Sequence, residues 1–357
     1  MALHNKSRLN CKEVQERLIW IDTVKVIAIL LVILVHCTET VYKFNLEGIG
    51  KEMFLIQIPA FTFFTLGRLG VPLFLMTTGY LLLDREWNYS TTLKFYKKNF
   101  LGLLFTAEAW IIIFNLYLPY YNGSDLSIIE LLNNMLFRTN FSSGQTNLPL
   151  GHWWYMPCIL GIYLFIPLVG SALRKNDLKM LIIPGGALLL KMIPGGIGGI
   201  LNLDFMGGYY GLIVIMGFIC KKGVLKRLKK SVLFVCLFMC LFLTIGFQIV
   251  LYRFGYRYNV WYNFLPLVVT AICLFEMISR CEISQKYEKI ITLLSKDSFG
   301  IYLIHYPLCK LFVNFLVFDS GFIKIAILYL ISLVLSLFIV EIIKKIPKIN
   351  KVLLYTV

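Results

Sequence analysis

Residues 18–38 read LIWIDTVKVIAILLVILVHCT. At about 1.5 Å per residue a helix over this stretch spans about 30 Å, the thickness of a bilayer's hydrocarbon core. It is predicted as a first transmembrane helix. No signal peptide with a cleavage site precedes it, so the expectation is that it stays in the protein. The rest of the 357-residue chain is of the same kind, 59% hydrophobic and 15% charged, with a mean hydropathy of +0.77. Soluble domains are about 45–50% apolar and about 25% charged. A soluble enzyme and a disordered chain are both excluded.

Working outward from 18–38, further apolar stretches fall at 66–83, 99–118, 153–173, 180–194, 207–220, 231–252, 260–279, 298–317 and 322–343. The fifth and sixth are short and bounded by Pro194-Gly195-Gly196 and Gly207-Gly208. No repeat, low-complexity tract or composition shift divides the chain. The expectation is an all-α, polytopic bundle of about ten spans forming one membrane-embedded domain over 1–357.

The net charge of +16 does not point to nucleic acid, because cytoplasmic loops of membrane proteins carry excess Lys and Arg. The basic segments are the N-terminus, 84–98, 174–179, 221–230, 280–297 and the C-terminal tail, whereas 119–152 and 195–206 hold Arg138 alone. Loop 39–65 is mixed and 253–259 holds two arginines. This alternation places both termini in the cytoplasm. The nine cysteines are scattered, with no CxxC or Cys/His cluster, so neither a disulfide framework nor a metal site is expected.

Ionisable groups inside a span are costly and mark functional positions. The first span carries Asp22, Lys25 and His36. Lys25 and His36 lie about 20° apart around the helix and about 16 Å apart along it, so one polar stripe runs outward from the cytoplasmic end. Interfacial snorkelling accounts equally well for Lys25; His36, in an apolar run, has no such exit. Arg68 opens the second span at the same outer level, so the two are expected to meet. His152, Trp153, Trp154 and Tyr155, with Trp261 and Tyr262, are explained by an interfacial aromatic belt. His305 lies seven residues into the ninth span, about 10 Å from its cytoplasmic end, and is expected in the opposite half of the membrane from His36. Glu108, midway along the third span, is expected to find a His or Lys partner on a neighbouring helix.

Together these segments resemble the acyltransferase 3 family of integral-membrane acyltransferases, most closely the branch typified by the enterobacterial common antigen O-acetyltransferase. The first helix carries Trp20, Ile21, Asp22, a basic residue at Lys25, ten residues, then His36. The second carries Arg68, Pro72, Phe74, Gly79 and Tyr80; the fourth Trp154, Tyr155, Tyr163, Leu164, Pro167 and Leu168; the ninth Ser298, Gly300, Ile301, Tyr302 and His305. Three departures are visible. Lys25 stands where the family usually has arginine, and so lacks the planar fork for bidentate phosphate contact. Thr78 replaces a serine. Lys97 and Lys98 are followed by Leu101 and Gly102 rather than by the family's further arginines and proline.

The resemblance implies transfer of an acyl group, most plausibly acetyl, from cytoplasmic acyl-CoA to a hydroxyl. His36 is then the general base, whose ordinary pKa suits that task. Glu39, three residues on, lies on the face needed to orient it. Arg68 is assigned to an oxyanion or to an acceptor carboxylate or phosphate. Asp22, Lys25, Lys97 and Lys98 lie on the donor side. The implied acceptor is a carbohydrate of a cell-envelope or exported polysaccharide, or its precursor, at a bacterial plasma membrane. No tightly bound cofactor is expected, membrane lipids are the surroundings, and a homo-oligomer is compatible with the sequence. The competing expectation is a transporter or flippase for a polysaccharide or lipid-linked sugar, although the repeats that would support one are not visible.

Overall fold

A computed structural model describes residues 18–123, 127–138, 150–175, 186 and 208–355. Among them every regular element is helical. Among the described residues, six helices are long and apolar enough to cross a membrane: Ile19–Val41, Phe54–Leu82, Tyr89–Tyr117, Gly151–Arg174, Lys230–Arg253 and Gly321–Lys344. Tyr209–Lys221 and Leu265–Ser279 are apolar but shorter. The fifth expected span, 180–194, apart from Gly186, and the basic segment before residue 18 lie outside the described residues.

In the first helix, α1 (Ile19–Val41), two hydroxyls are satisfied internally: Thr23 donates to the Ile19 carbonyl at 3.0 Å and Thr38 to that of Leu34 at 2.7 Å. Apolar residues surround it on nearly every face, as suits a helix at the centre of a bundle. The next span starts earlier than its sequence suggests. Helix α2 (Phe54–Arg68) occupies much of what reads as loop 39–65, and α3 (Gly70–Leu82) continues it after a single break at Leu69. Gln57 and Pro59 disguise this helix. Gln57 is buried, and its NH₂ donates to the Ile49 carbonyl at 2.9 Å.

Helices in a membrane gain little from hydrophobic burial and rely on close packing, so small residues mark their contacts. Gly67 lies against Val35, and Gly70 against Ala28 and Val32, which draws α2 and α3 onto α1. The contact of α3 with α8 (Tyr209–Lys221) is closer still. A Cβ on Gly79 would overlap the Val214 carbonyl, and one on Gly217 would overlap that of Met76. The two glycines face each other's backbones across one crossing, which explains the motif glycine at 79.

The largest departure from the sequence reading is α11 (Gln285–Phe312), a helix of 28 residues that begins 13 residues before Ser298. Its charged first turns, with Lys286, Glu288 and Lys289, read as loop but continue the helix. It runs beside α1 in the same direction. Ser295 donates to Asp22 at 2.6 Å, and Cys309 Sγ lies 3.5 Å from Cys37 Sγ. Lower down, Asp297 is buried and paired with Lys344 at the end of α12 (Gly321–Lys344).

Candidate active site

The C-terminal end of α1 carries two members of a chain of three charged or polar side chains, His36 and Glu39, which Arg68 completes. Glu39 Oε2 lies 3.1 Å from His36 Nδ1, and Arg68 Nη2 donates to Glu39 Oε1 at 2.5 Å. The i,i+3 spacing puts His36 and Glu39 on one face, while Gly67 lets the end of α2 approach α1 closely enough to deliver Arg68. His36 and Arg68 are buried, and Glu39 keeps partial exposure. A carboxylate only accepts, so His36 carries its proton on Nδ1 and presents Nε2 as a lone pair. Such a nitrogen can take a proton from a hydroxyl.

Aromatic rings fix the arginine. Its guanidinium carbon lies 4.5 Å from the Trp261 ring centre and 4.7 Å from that of Phe64, within cation–π range. Nη1 donates to the Tyr262 hydroxyl at 3.4 Å. Trp154 packs on Tyr210, Trp261 and Tyr262 at 5.3–5.4 Å, and the Trp261 indole donates to the Tyr210 hydroxyl at 2.9 Å. These rings face into the bundle around Arg68, which the belt explanation did not anticipate. The segment carrying Trp261 and Tyr262 is pinned by Gln248, which accepts from Val260 N at 2.9 Å, and by Asn259, which donates to the Phe44 carbonyl at 3.0 Å. Arg68 thereby gives its two terminal nitrogens to Glu39 and Tyr262, while its buried Nε has no hydrogen-bond partner.

The expected separation of His305 from His36 is corrected. With α11 starting at Gln285, His305 is twenty residues along it, about 30 Å from its start. Its ring centre lies 5.3 Å from that of His36. His152, assigned from sequence to the belt, joins them at 6.2 Å from His36 and 5.4 Å from His305. It comes from the short 3₁₀ turn Gly151–Trp154 that leads into α7 (Tyr155–Lys175). Tyr306 packs on His36 and His152 at 4.7 and 4.9 Å. Lys310, one turn further on, is within electrostatic reach of Glu39. Three separate parts of the chain thus bring imidazoles together. Sequence offered no signal for the meeting beyond the cost of placing each one in an apolar setting.

A cavity of about 860 Å³ begins at the other end of α1. Asp22, Lys25 and Val32 line it from α1, and Phe74, Thr77 and Thr78 from α3. Tyr155 and Tyr163 face it from α7, and Ser298 and Tyr302 from α11. Exposed Arg85 and Lys296 stand at its mouth, and Leu354 and Tyr355 close one side. Val32 is one turn short of His36, about 6 Å along the axis. Tyr302, on the inner wall, donates to the His152 carbonyl at 2.9 Å. The cavity therefore runs inward from one end of the bundle and stops about a turn short of His36, with none of the three histidines in its lining.

The motif residues divide accordingly. Phe74, Thr78, Tyr155, Ser298 and Tyr302 form cavity wall, Trp154 belongs to the arginine's aromatic surround, and Gly79 is a packing contact. Pro72 is buried in the first turn of α3, where a missing N–H is tolerated. Lys97 and Lys98 are exposed on the π-helical segment Tyr96–Phe100 and do not line the cavity, whereas Arg85 and Lys296 do. The buried Oε2 of Glu108 has no hydrogen-bond partner among the described residues. Among the described residues, no group of three or more His, Cys, Asp or Glu side chains has the arrangement of a metal site.

Comparison with known proteins gives one match. The model of the family described as an acyltransferase domain matches residues 18–341. No curated protein and no solved structure matches the chain.

Proposed function

The chain belongs to the acyltransferase domain family, and from that premise we propose that it is a membrane-bound O-acyltransferase. It takes an acyl group, most plausibly acetyl, from cytoplasmic acyl-CoA and passes it to a hydroxyl of a cell-envelope or exported carbohydrate in a bacterial plasma membrane. The observation that carries the reading is the continuity of cavity and base. A cavity with Lys25, Arg85 and Lys296 around its outer part ends one turn from a histidine held by Glu39 and Arg68.

In this reading the donor's phosphates stay near the cations and its thioester arm runs inward. His36 Nε2 then takes the hydroxyl proton as the acceptor oxygen attacks. Glu39 fixes the tautomer and supports the imidazolium that forms, a role that needs a charged, well-held carboxylate. Arg68 and its aromatic surround hold Glu39. The ten-span topology, with both termini in the cytoplasm, belongs to the same proposal, because it puts the cavity mouth on the side where acyl-CoA is found.

The test is a transfer assay with radiolabelled acetyl-CoA and a panel of methyl glycosides on purified protein. The expected result is alkali-labile label on a sugar hydroxyl. Absence of covalent transfer, together with movement of unmodified lipid-linked sugar across liposomes, would replace this reading with a flippase.

A further inference from the structure

Acyl transfer needs a hydrogen-bond donor for the oxyanion as well as a base. Three imidazoles surround the reacting region, and their partners distinguish them. His36 gives its Nδ1 proton to Glu39, and so offers only a lone pair at Nε2. His305 Nδ1 lies 3.0 Å from the Ile301 carbonyl, which can only accept, so its free Nε2 is likewise a lone pair. His152 is 1% exposed and its ring lies near the Leu303 backbone, yet neither ring nitrogen is within hydrogen-bonding geometry of a partner. Neutral imidazole always carries one N–H. His152 is therefore the imidazole of the three with an uncommitted donor, in a place where uncommitted donors are costly.

Of the other donors nearby, Arg68 gives its two terminal nitrogens to Glu39 and Tyr262 and keeps only Nε unpartnered, and the buried Trp153 indole N–H is the other free donor. The Tyr302 hydroxyl donates to the backbone carbonyl of His152 itself. Lys310 lies over the outer Tyr306 ring, 5.3 Å from its centre.

We infer that His152 is a catalytic residue that donates a hydrogen bond to the carbonyl oxygen of the acyl group as it becomes an oxyanion. The inference rests on the acyltransferase reading above. The acceptor oxygen bonds to the thioester carbon, and its proton passes to His36 Nε2. The carbonyl π electrons move onto oxygen, where His152 N–H meets them. Collapse restores the carbonyl and breaks the C–S bond, and the departing thiolate takes the proton from His36. His152 neither gains nor loses a proton. The hydrogen bond of Tyr302 to its backbone holds the 3₁₀ turn, and with it the ring, beside the inner wall of the cavity.

The test compares His152→Gln with His152→Met, side chains of similar length, of which only glutamine carries an N–H donor. Acetyl-CoA and the methyl glycosides serve as donor and acceptors, with fold checked by gel filtration and thermal unfolding. The expected result for His152→Met is a kcat about 10²–10³-fold lower with both KM values unchanged, the mark of an interaction made only in the transition state. His152→Gln should stay within about tenfold of the unsubstituted protein, since its amide can make the same bond. Equal kcat values for the two variants, whether high or low, would overturn the inference. So would failure of both to fold, which would make His152 a packing residue. An unsubstituted protein that transfers no acyl group refutes the underlying function instead, so the two failures are distinguishable.

Discussion

Glu39→Gln tests the chain from Arg68 to His36 because only one orientation of the amide satisfies both neighbours. Arginine has donors alone, so the glutamine carbonyl must take the Oε1 position, 2.5 Å from Arg68 Nη2. The amide NH₂ then replaces Oε2, 3.1 Å from His36 Nδ1, and donates to it. His36 has to accept there, its proton shifts to Nε2, and the nitrogen needed as base is blocked. The expected loss in kcat is about 10²–10⁴-fold, the usual contribution of a positioned base. Stability falls as well. Leaving a fully buried charge unpaired costs about 3–5 kcal/mol; Arg68 is 5% exposed, but the Glu39 side chain is 28% exposed, and the water that reaches it softens the loss to about 2 kcal/mol. Adding Arg68→Met frees the amide to turn its oxygen to His36 and restore the base. The double variant should therefore be at least about tenfold faster than Glu39→Gln alone, a coupling of the kind contacting residues show. The assay is acetyl transfer from labelled acetyl-CoA by purified protein, with thermal unfolding in detergent. A Glu39→Gln protein with unchanged kcat would refute the chain. A double variant no faster than the single would refute the tautomer argument.

His36→Ala should lower kcat by about 10²–10⁴-fold with normal insertion and yield, read from the same transfer assay on equal amounts of purified protein. Arg85→Ala, Lys296→Ala and Lys25→Ala should each raise the KM for acetyl-CoA and leave kcat nearly unchanged, whereas Lys97→Ala and Lys98→Ala should leave both parameters unchanged in donor titrations. Gly79→Val places branched atoms against the Val214 carbonyl, and thermal unfolding should show a loss of about 1–3 kcal/mol or more, as overpacking does. Cysteine labelling in a cysteine-free background should find positions 226 and 289 reactive only after permeabilisation and position 140 reactive from outside; the reverse pattern would invert the orientation.

The helical class and the His36–Glu39–Arg68 group were legible because each rests on a local rule. An apolar run long enough to span a bilayer reads as a helix, and a lone histidine within one stands out. Glu39 follows from the three-residue spacing. What was not legible depended on where helices begin. Lys286, Glu288, Lys289 and Lys296 look like a cytoplasmic loop, so His305 was placed near one face, whereas the helix running from Gln285 carries it to His36. Phe54–Arg68 was missed for the same reason, its apolar run being interrupted by Gln57 and Pro59. His152 was hidden by its neighbours, since a histidine before two tryptophans and a tyrosine reads as interface. The donor cations illustrate a different limit. Lys97 and Lys98 are adjacent in sequence and conspicuous, but Arg85 and Lys296 are single residues that only the assembled helices bring to one opening.

The crossing of α3 and α8 has a mechanical consequence. With Gly79 on the Val214 carbonyl and Gly217 on that of Met76, main chain meets main chain with no side chain between to tilt or swing. Neither helix can roll about its axis or slide along the other without collision, so the pair behaves as a fixed post. Phe74, Thr77 and Thr78 stand on that post, which makes their side of the cavity its immovable jamb. Any widening of the cavity has to come from the opposite side, where Tyr155 and Tyr163 of α7 and Ser298 and Tyr302 of α11 stand.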